Sequence, residues 1–281
     1  MVSKMNLIEI ARNAIIRPEP DELDLPYIEG EVIEGVYRDE YVLPPPVPSL
    51  STVLNSLGHL PSYSALIGLC EDGMPFLMDL SNPAPGSILI SGQPGSGKTR
   101  LLTALLTSAA RLNDPQTVNF CLITPQLHEV ESLKKYPHCL GIAAPYERTA
   151  SEMIIKLAAI AEQRRSGREL GPAVILAIDD LAYLTGEYLD YGVYVHLKWL
   201  LQNGPGSLIW PMATLRSHQV HAMDRRLVGS FSTKFIGQWH LENNSRRLNA
   251  ASRTFSEHLL PEGTFEVLYN NQWIRFTVPS V

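Results

Sequence analysis

Residues 91–100 read SGQPGSGKTR and sit between a short apolar run, Ile88 to Ile90, and an apolar-periodic helix that begins near Lys98. The spacing Gly92-x4-Gly97-Lys98-Thr99, placed between a strand and a helix, is that of a phosphate-cradling loop. Glycines let the backbone turn tightly enough for several N–H groups to point into one concavity, and the helix N-terminus adds its positive end. An anion of two or three phosphates fits there, which points to ATP with Mg2+. Lys98 would reach the β- and γ-phosphates as a point charge, and the Thr99 hydroxyl would ligate Mg2+. The expected binding loop comprises Gly92, Pro94, Gly95, Ser96, Gly97, Lys98, Thr99 and Arg100.

A second group of residues completes such a site. AVILAIDDL ends a buried-type strand in two carboxylates, Asp179 and Asp180, about 80 residues after the loop. The first is expected to hold Mg2+ through water, and the second to orient and deprotonate the attacking water. Further on, ATLRS follows another apolar run, so Thr214 and Arg216 fall at a strand end where a polar group can sense the γ-phosphate.

These residues need a rigid frame, and the apolar patterning supplies one. Runs at 118–124, 141–144, 173–179, 207–214 and 233–239 alternate with helical patterns, the clearest at 151–165. Near-continuous Val, Ile and Leu runs separated by helices predict an α/β fold with a mostly parallel central sheet flanked by helices. The segment SALIGLCEDGMPFLMDL predicts a hairpin just before the loop, and GTFEVLYNNQWIRFTVP another, turning at Asn270-Asn271. Residues 5–17 place apolar side chains on one helical face, and Pro18 stops them. An acidic, proline-punctuated stretch follows, in which Pro44, Pro45, Pro46 and Pro48 favour extended backbone. The expected organisation is a helix and tether over 1–50 and an ATPase domain over 51–281. A helix on such a tether either docks on a neighbouring subunit or partner, or folds back on its own domain.

Charge and cysteine content narrow the partners. Residues 1–40 carry ten acidic and four basic side chains, while residues 41–281 carry nineteen of each, so the net of −6 belongs to the N-terminal segment. The remainder has no excess of Lys and Arg to mark a strong nucleic-acid footprint. Cys70, Cys121 and Cys139 have no CxxC spacing and read as buried thiols of a reducing compartment. The sequence shows no membrane-length apolar run and no signal-like leader, so a cytoplasmic location is expected.

With loop, carboxylates and sensor strand in this order, the chain resembles the FtsK/HerA superfamily of hexameric ATPases over roughly residues 65–279. The hairpin GLCEDGMPFLMDL before the loop is similar to that family's opening. KYPHCLGIAAPYERTASEMIIKLAAIAEQRR resembles its stretch in which a Pro-His pair, here Pro137 and His138, leads to a helix ending in Glu-x-Arg-Arg, here Glu162 to Arg165. SFSTKFIGQWHLENNSRRLNAASRTFSEHLLPEGTFEVLY parallels the closing strand, the Asp-Ser-Arg helix start and the last hairpin. The resemblance implies a RecA-like P-loop NTPase that forms a ring, a hexamer, with ATP sites between subunits. It also implies an arginine inserted by the neighbour; Arg246 stands at the matching position, with Arg164, Arg165 and Arg226 as alternatives.

Three departures from that family qualify the reading. Asp180 replaces the usual glutamate, and a misplacement of about 1 Å can cost ~10²-fold in rate. Leu215 replaces the glutamine of Thr-Gln-Arg, and leucine bonds neither phosphate nor water. Only SGRELGP stands where FtsK-type motors carry a long DNA-facing insertion, and the stretch 184–206 holds a single basic residue, Lys198. The leading expectation is a ring-forming, Mg2+-dependent ATPase motor that moves double-stranded DNA or another polymer. The alternative is a nucleotide-gated structural subunit with weak hydrolysis, whose residues 1–50 bind a partner protein. A P-loop kinase shares the loop but would need an arginine-rich lid that the sequence does not display.

Overall fold

The computed structural model describes residues 47–167, 171–238, 260–269 and 272–281. The expected N-terminal helix, most of the tether, the Asn270-Asn271 turn and Arg246 lie outside the described residues.

The strands run β1 (Ser64–Cys70), β2 (Pro75–Asp79), β3 (Ile88–Gly92), β4 (Val118–Ile123), β5 (Cys139–Ala143), β6 (Ala173–Ile178), β7 (Ile209–Arg216), β8 (Thr233–Ile236), β9 (Thr264–Tyr269) and β10 (Gln272–Thr277). The helices used below are α1 (Leu50–Ser56), α2 (Lys98–Leu112), α3 (Arg148–Arg165), α4 (Tyr191–Asn203) and α5 (Arg225–Gly229). All ten strands join one sheet in the order β2-β1-β10-β9-β8-β3-β7-β6-β4-β5. From β8 to β5 every pairing is parallel; from β8 to β2 every pairing is antiparallel. The two hairpins expected from sequence, β1–β2 and β9–β10, thus form one wing of the same sheet.

Strand alternation explains why the central runs are apolar throughout. Successive side chains point to opposite faces, and here both faces are covered. Ile88, Ile90, Phe120, Leu122, Ile175, Ala177, Trp210 and Met212 share a core with α1 and with Leu101, Leu102, Leu105 and Leu106 of α2. Leu89, Cys121, Ile123, Leu176, Ile178, Ala213 and Leu215 pack on the other face against Ile154 and Leu157 of α3 and Leu197 and Leu200 of α4. Each leucine or isoleucine fully buried in this way contributes about 1.5–3 kcal/mol. β4 and β6 are buried along their whole length, as two-sided cover requires.

One feature of the strand order was not visible in the sequence. β7 lies between β3 and β6, pairing Ile90 with Thr214 on one side and Ile178 with Ala213 on the other. The end of β7 is therefore wedged between the phosphate loop and the paired carboxylates.

Candidate ATP site

The loop follows β3 without a break and delivers the chain into α2. Gly97 caps that helix at φ 88°, in the left-handed region, and among the described residues no side chain caps the first-turn N–H groups. A residue with a Cβ would be strained there, and the Cβ would also fall 3.0 Å from the Cα of Gly263. Gly95 is likewise left-handed, at φ 80°. The uncapped donors and the dipole of a 15-residue helix leave an anion-binding concavity at this end.

Lys98 is held against its own loop. Its Nζ donates to the Gly92 carbonyl at 3.1 Å, to the Gln93 carbonyl and to Ser96 Oγ at 3.3 Å. Burial pushes its pKa down to about 8; Asp179 and Asp180 pull it up and Arg216 pushes it further down. An ammonium so desolvated gains from an arriving anion.

Asp179 gathers three hydroxyls at the sheet's carboxyl edge. Thr99 Oγ1 donates at 3.1 Å, Thr124 Oγ1 at 3.3 Å and Thr214 Oγ1 at 2.7 Å. Thr99 comes from the first turn of α2, Thr124 from just past the end of β4, and Thr214 from β7. The same Thr214 oxygen accepts the Asp180 N–H at 2.8 Å, so one hydroxyl fixes both carboxylate-bearing residues. Asp180 has φ 65°. Its Oδ1 accepts from the Tyr183 N–H at 3.1 Å, capping a single helical turn at Leu181–Tyr183. Its Oδ2 pairs with Arg216 at 2.9 Å.

The donor set fits Mg2+. The Thr99 hydroxyl and the Asp179 carboxylate are hard oxygens already adjacent, and among the described residues no cluster of three His, Cys, Asp or Glu could hold a metal alone. Mg2+ is ordinarily bound through one or two protein oxygens plus phosphates and water.

Lys98, Thr99, Asp179, Asp180, Thr214 and Arg216 are thus brought together at one edge of the sheet. Three other positions behave differently. Pro94 is on the exposed crest of the loop. The Arg100 side chain donates through Nη2 at 2.6 Å to the Val278 carbonyl, tying α2 to the chain after β10, while its backbone lies in the first turn of α2. Leu215 is fully buried against the α3–α4 face, which explains why an apolar residue is accommodated between two polar site residues. Thr124 was missed by sequence reasoning, although it ends an apolar run as Thr214 does. Among the alternative arginines, Arg164 donates at 2.9 Å to both the Ser207 and Pro172 carbonyls, while Arg165 bonds Asn203 and lies over Trp199. Both serve packing around α3 in this structure. The three cysteines are free thiols, and burial pushes Cys121 up to about 12.

Residues 56–190 match the FtsK/SpoIIIE family. Over that stretch, just under half of its length, the chain is of the FtsK/SpoIIIE type, a P-loop ATPase. It is 35% identical over 108 residues to the ESX-5 secretion system protein EccC5 of Mycobacterium marinum, which covers 37% of this chain and 8% of that protein. It is 30% identical over 126 residues to the DNA translocase SftA of Bacillus subtilis, covering 44% of this chain and 13% of SftA. The structure of EssC (ATPases 2 and 3) from Geobacillus thermodenitrificans superposes with a TM-score of 0.67 at 17% identity, over 85% of this chain and 48% of that one. The structural likeness establishes the fold. This chain therefore corresponds to a small part of its curated relatives. No helix among the described residues is long and apolar enough to cross a membrane.

Proposed function

We propose that this FtsK/SpoIIIE-type domain works as a Mg2+-dependent ATP-hydrolysing subunit of an oligomeric ring, a hexamer, that drives a polymer, DNA or polypeptide. The observation that carries the site reading is Asp179, which accepts hydrogen bonds from Thr99 of the phosphate-loop helix and from Thr214 of the strand between. Bound Mg2+–ATP would supply the phosphoanhydride bond and the charge that this site meets. Lys98 then neutralises phosphate charge, Thr99 and Asp179 hold the cation, and Asp180 orients the attacking water and takes its proton. Thr214 keeps both aspartates in place, and Arg246 of a neighbouring subunit is the candidate for stabilising the transferring phosphoryl group. Residues 1–50 form a partner-docking arm, residues 51–281 the ATPase, and the protein works in the cytoplasm.

The relatives leave two cargo classes in view, since one is named a secretion protein and another a DNA translocase. With Lys198 the single Lys or Arg across residues 184–206, the stretch after the carboxylates gives a phosphate backbone little to hold. Sedimentation with a non-hydrolysed ATP analogue, with and without double-stranded DNA, tests the proposal. Assembly beyond the monomer in the presence of Mg2+–nucleotide is expected; a monomer under every condition would contradict the ring. A second reading, a nucleotide-gated structural subunit with slow turnover, is favoured by the ion pair that engages Asp180.

A further inference from the structure

Arg216 and Asp180 form an ion pair whose two ends differ. The arginine side chain is 48% exposed and the aspartate side chain 12%. Asp180 cannot follow its partner elsewhere: its N–H is held by Thr214, its Oδ1 by the Tyr183 N–H, and its backbone by a left-handed φ of 65°. The guanidinium, on a long side chain open to solvent, is the mobile member. It also stands at the phosphate loop, since Arg216 pairs in register with Gly92. Its charge is among those that lower the Lys98 pKa, so the two cations are near enough to interact.

We propose that Arg216 is a specificity-determining residue that distinguishes ATP from ADP by exchange: the γ-phosphate competes with Asp180 for the guanidinium. The inference rests on reading residues 92–99 as the ATP site. A partly exposed ion pair contributes little to stability and gives way to an anion of higher charge. ADP has no phosphate in that position and leaves the pair closed. When Arg216 transfers, Asp180 Oδ2 loses its partner and is free to accept a hydrogen bond from water. The carboxylate expected to work on water is thereby released only when a triphosphate is bound.

A double-mutant cycle tests this. Dissociation constants for Mg2+ with a non-hydrolysed ATP analogue, and for ADP, are measured by fluorescence titration on wild type, Asp180→Asn, Arg216→Gln and the double variant. The asparagine keeps a carbonyl oxygen for the Tyr183 N–H, and thermal melts check that each variant is folded. Removing the competitor is expected to tighten the ATP analogue about two- to fivefold, the range of a partly exposed pair. ADP binding stays unchanged, and the gain disappears in the Arg216→Gln background. An equal gain in that background, or an equal gain for ADP, would show simple relief of negative charge and overturn the exchange. Failure of wild type to bind either nucleotide would instead overturn the ATP-site reading, and the exchange with it.

Discussion

Thr214 bonds both aspartates of the site through one hydroxyl. Its side chain is buried, its hydroxyl donates to Asp179 at 2.7 Å, and the same oxygen accepts from the Asp180 N–H at 2.8 Å. Thr214→Val preserves shape while deleting both bonds. Loss of a hydrogen bond to a charged acceptor costs about 1.5–3 kcal/mol, and a buried N–H left unsatisfied about 1–3 kcal/mol. Thr99 and Thr124 still donate to Asp179, which keeps the first of these toward its lower end. A net destabilisation of about 2–4 kcal/mol follows, and at roughly 2–4 °C per kcal/mol for a chain of this size the melting temperature falls by at least about 4 °C. Thr214→Ser keeps the hydroxyl and loses one methyl group, so it should cost less. The assay is thermal unfolding without nucleotide, followed by circular dichroism. If the valine variant melts within a degree of wild type, or the serine variant is damaged as much, the hydroxyl does not hold the two aspartates and the reasoning fails.

Two further consequences concern the loop. Because burial sets Lys98 near pH 8 and a bound polyphosphate favours its charged form, nucleotide binding takes up a proton above that pH. Affinity should be full at pH 7 and fall about tenfold by pH 9, since one pH unit past the pKa removes nine-tenths of the charged lysine; a dissociation constant that is flat over this range would contradict the assignment. Gly97→Ala forces a Cβ into the left-handed region, at a cost of about 1–2 kcal/mol, and against the Gly263 backbone. It should weaken Mg2+–ATP binding by more than tenfold while leaving the far-ultraviolet spectrum native-like, and unchanged affinity would show that the loop does not cradle phosphate.

Much of this site was legible because its parts are local. The glycine spacing, the lysine and the threonine lie within eight residues, and the carboxylates end a run whose apolar character reflects burial on both faces. Strand order was less accessible, because nothing in residues 209–216 says that β7 enters between β3 and β6. The consequences of that insertion were hidden with it: Thr214 bonding across to Asp179, and Arg216 reaching Asp180. Period-two alternation accounts for Leu215 facing away from its two polar neighbours. Arg100 reads as part of the loop because it adjoins Thr99. Its partner, the Val278 carbonyl, lies 178 residues away and could be found only from the folded chain.

A working ATP site built from residues 92–99 with Asp179 and Asp180 must turn over ATP. Release of inorganic phosphate from ATP by the purified protein, with Mg2+ or with chelator, and compared with Lys98→Ala, tests it most directly. Mg2+-dependent release by wild type and none above background by Lys98→Ala is the expected result. Release that persists undiminished in Lys98→Ala, or that is indifferent to Mg2+, would contradict it.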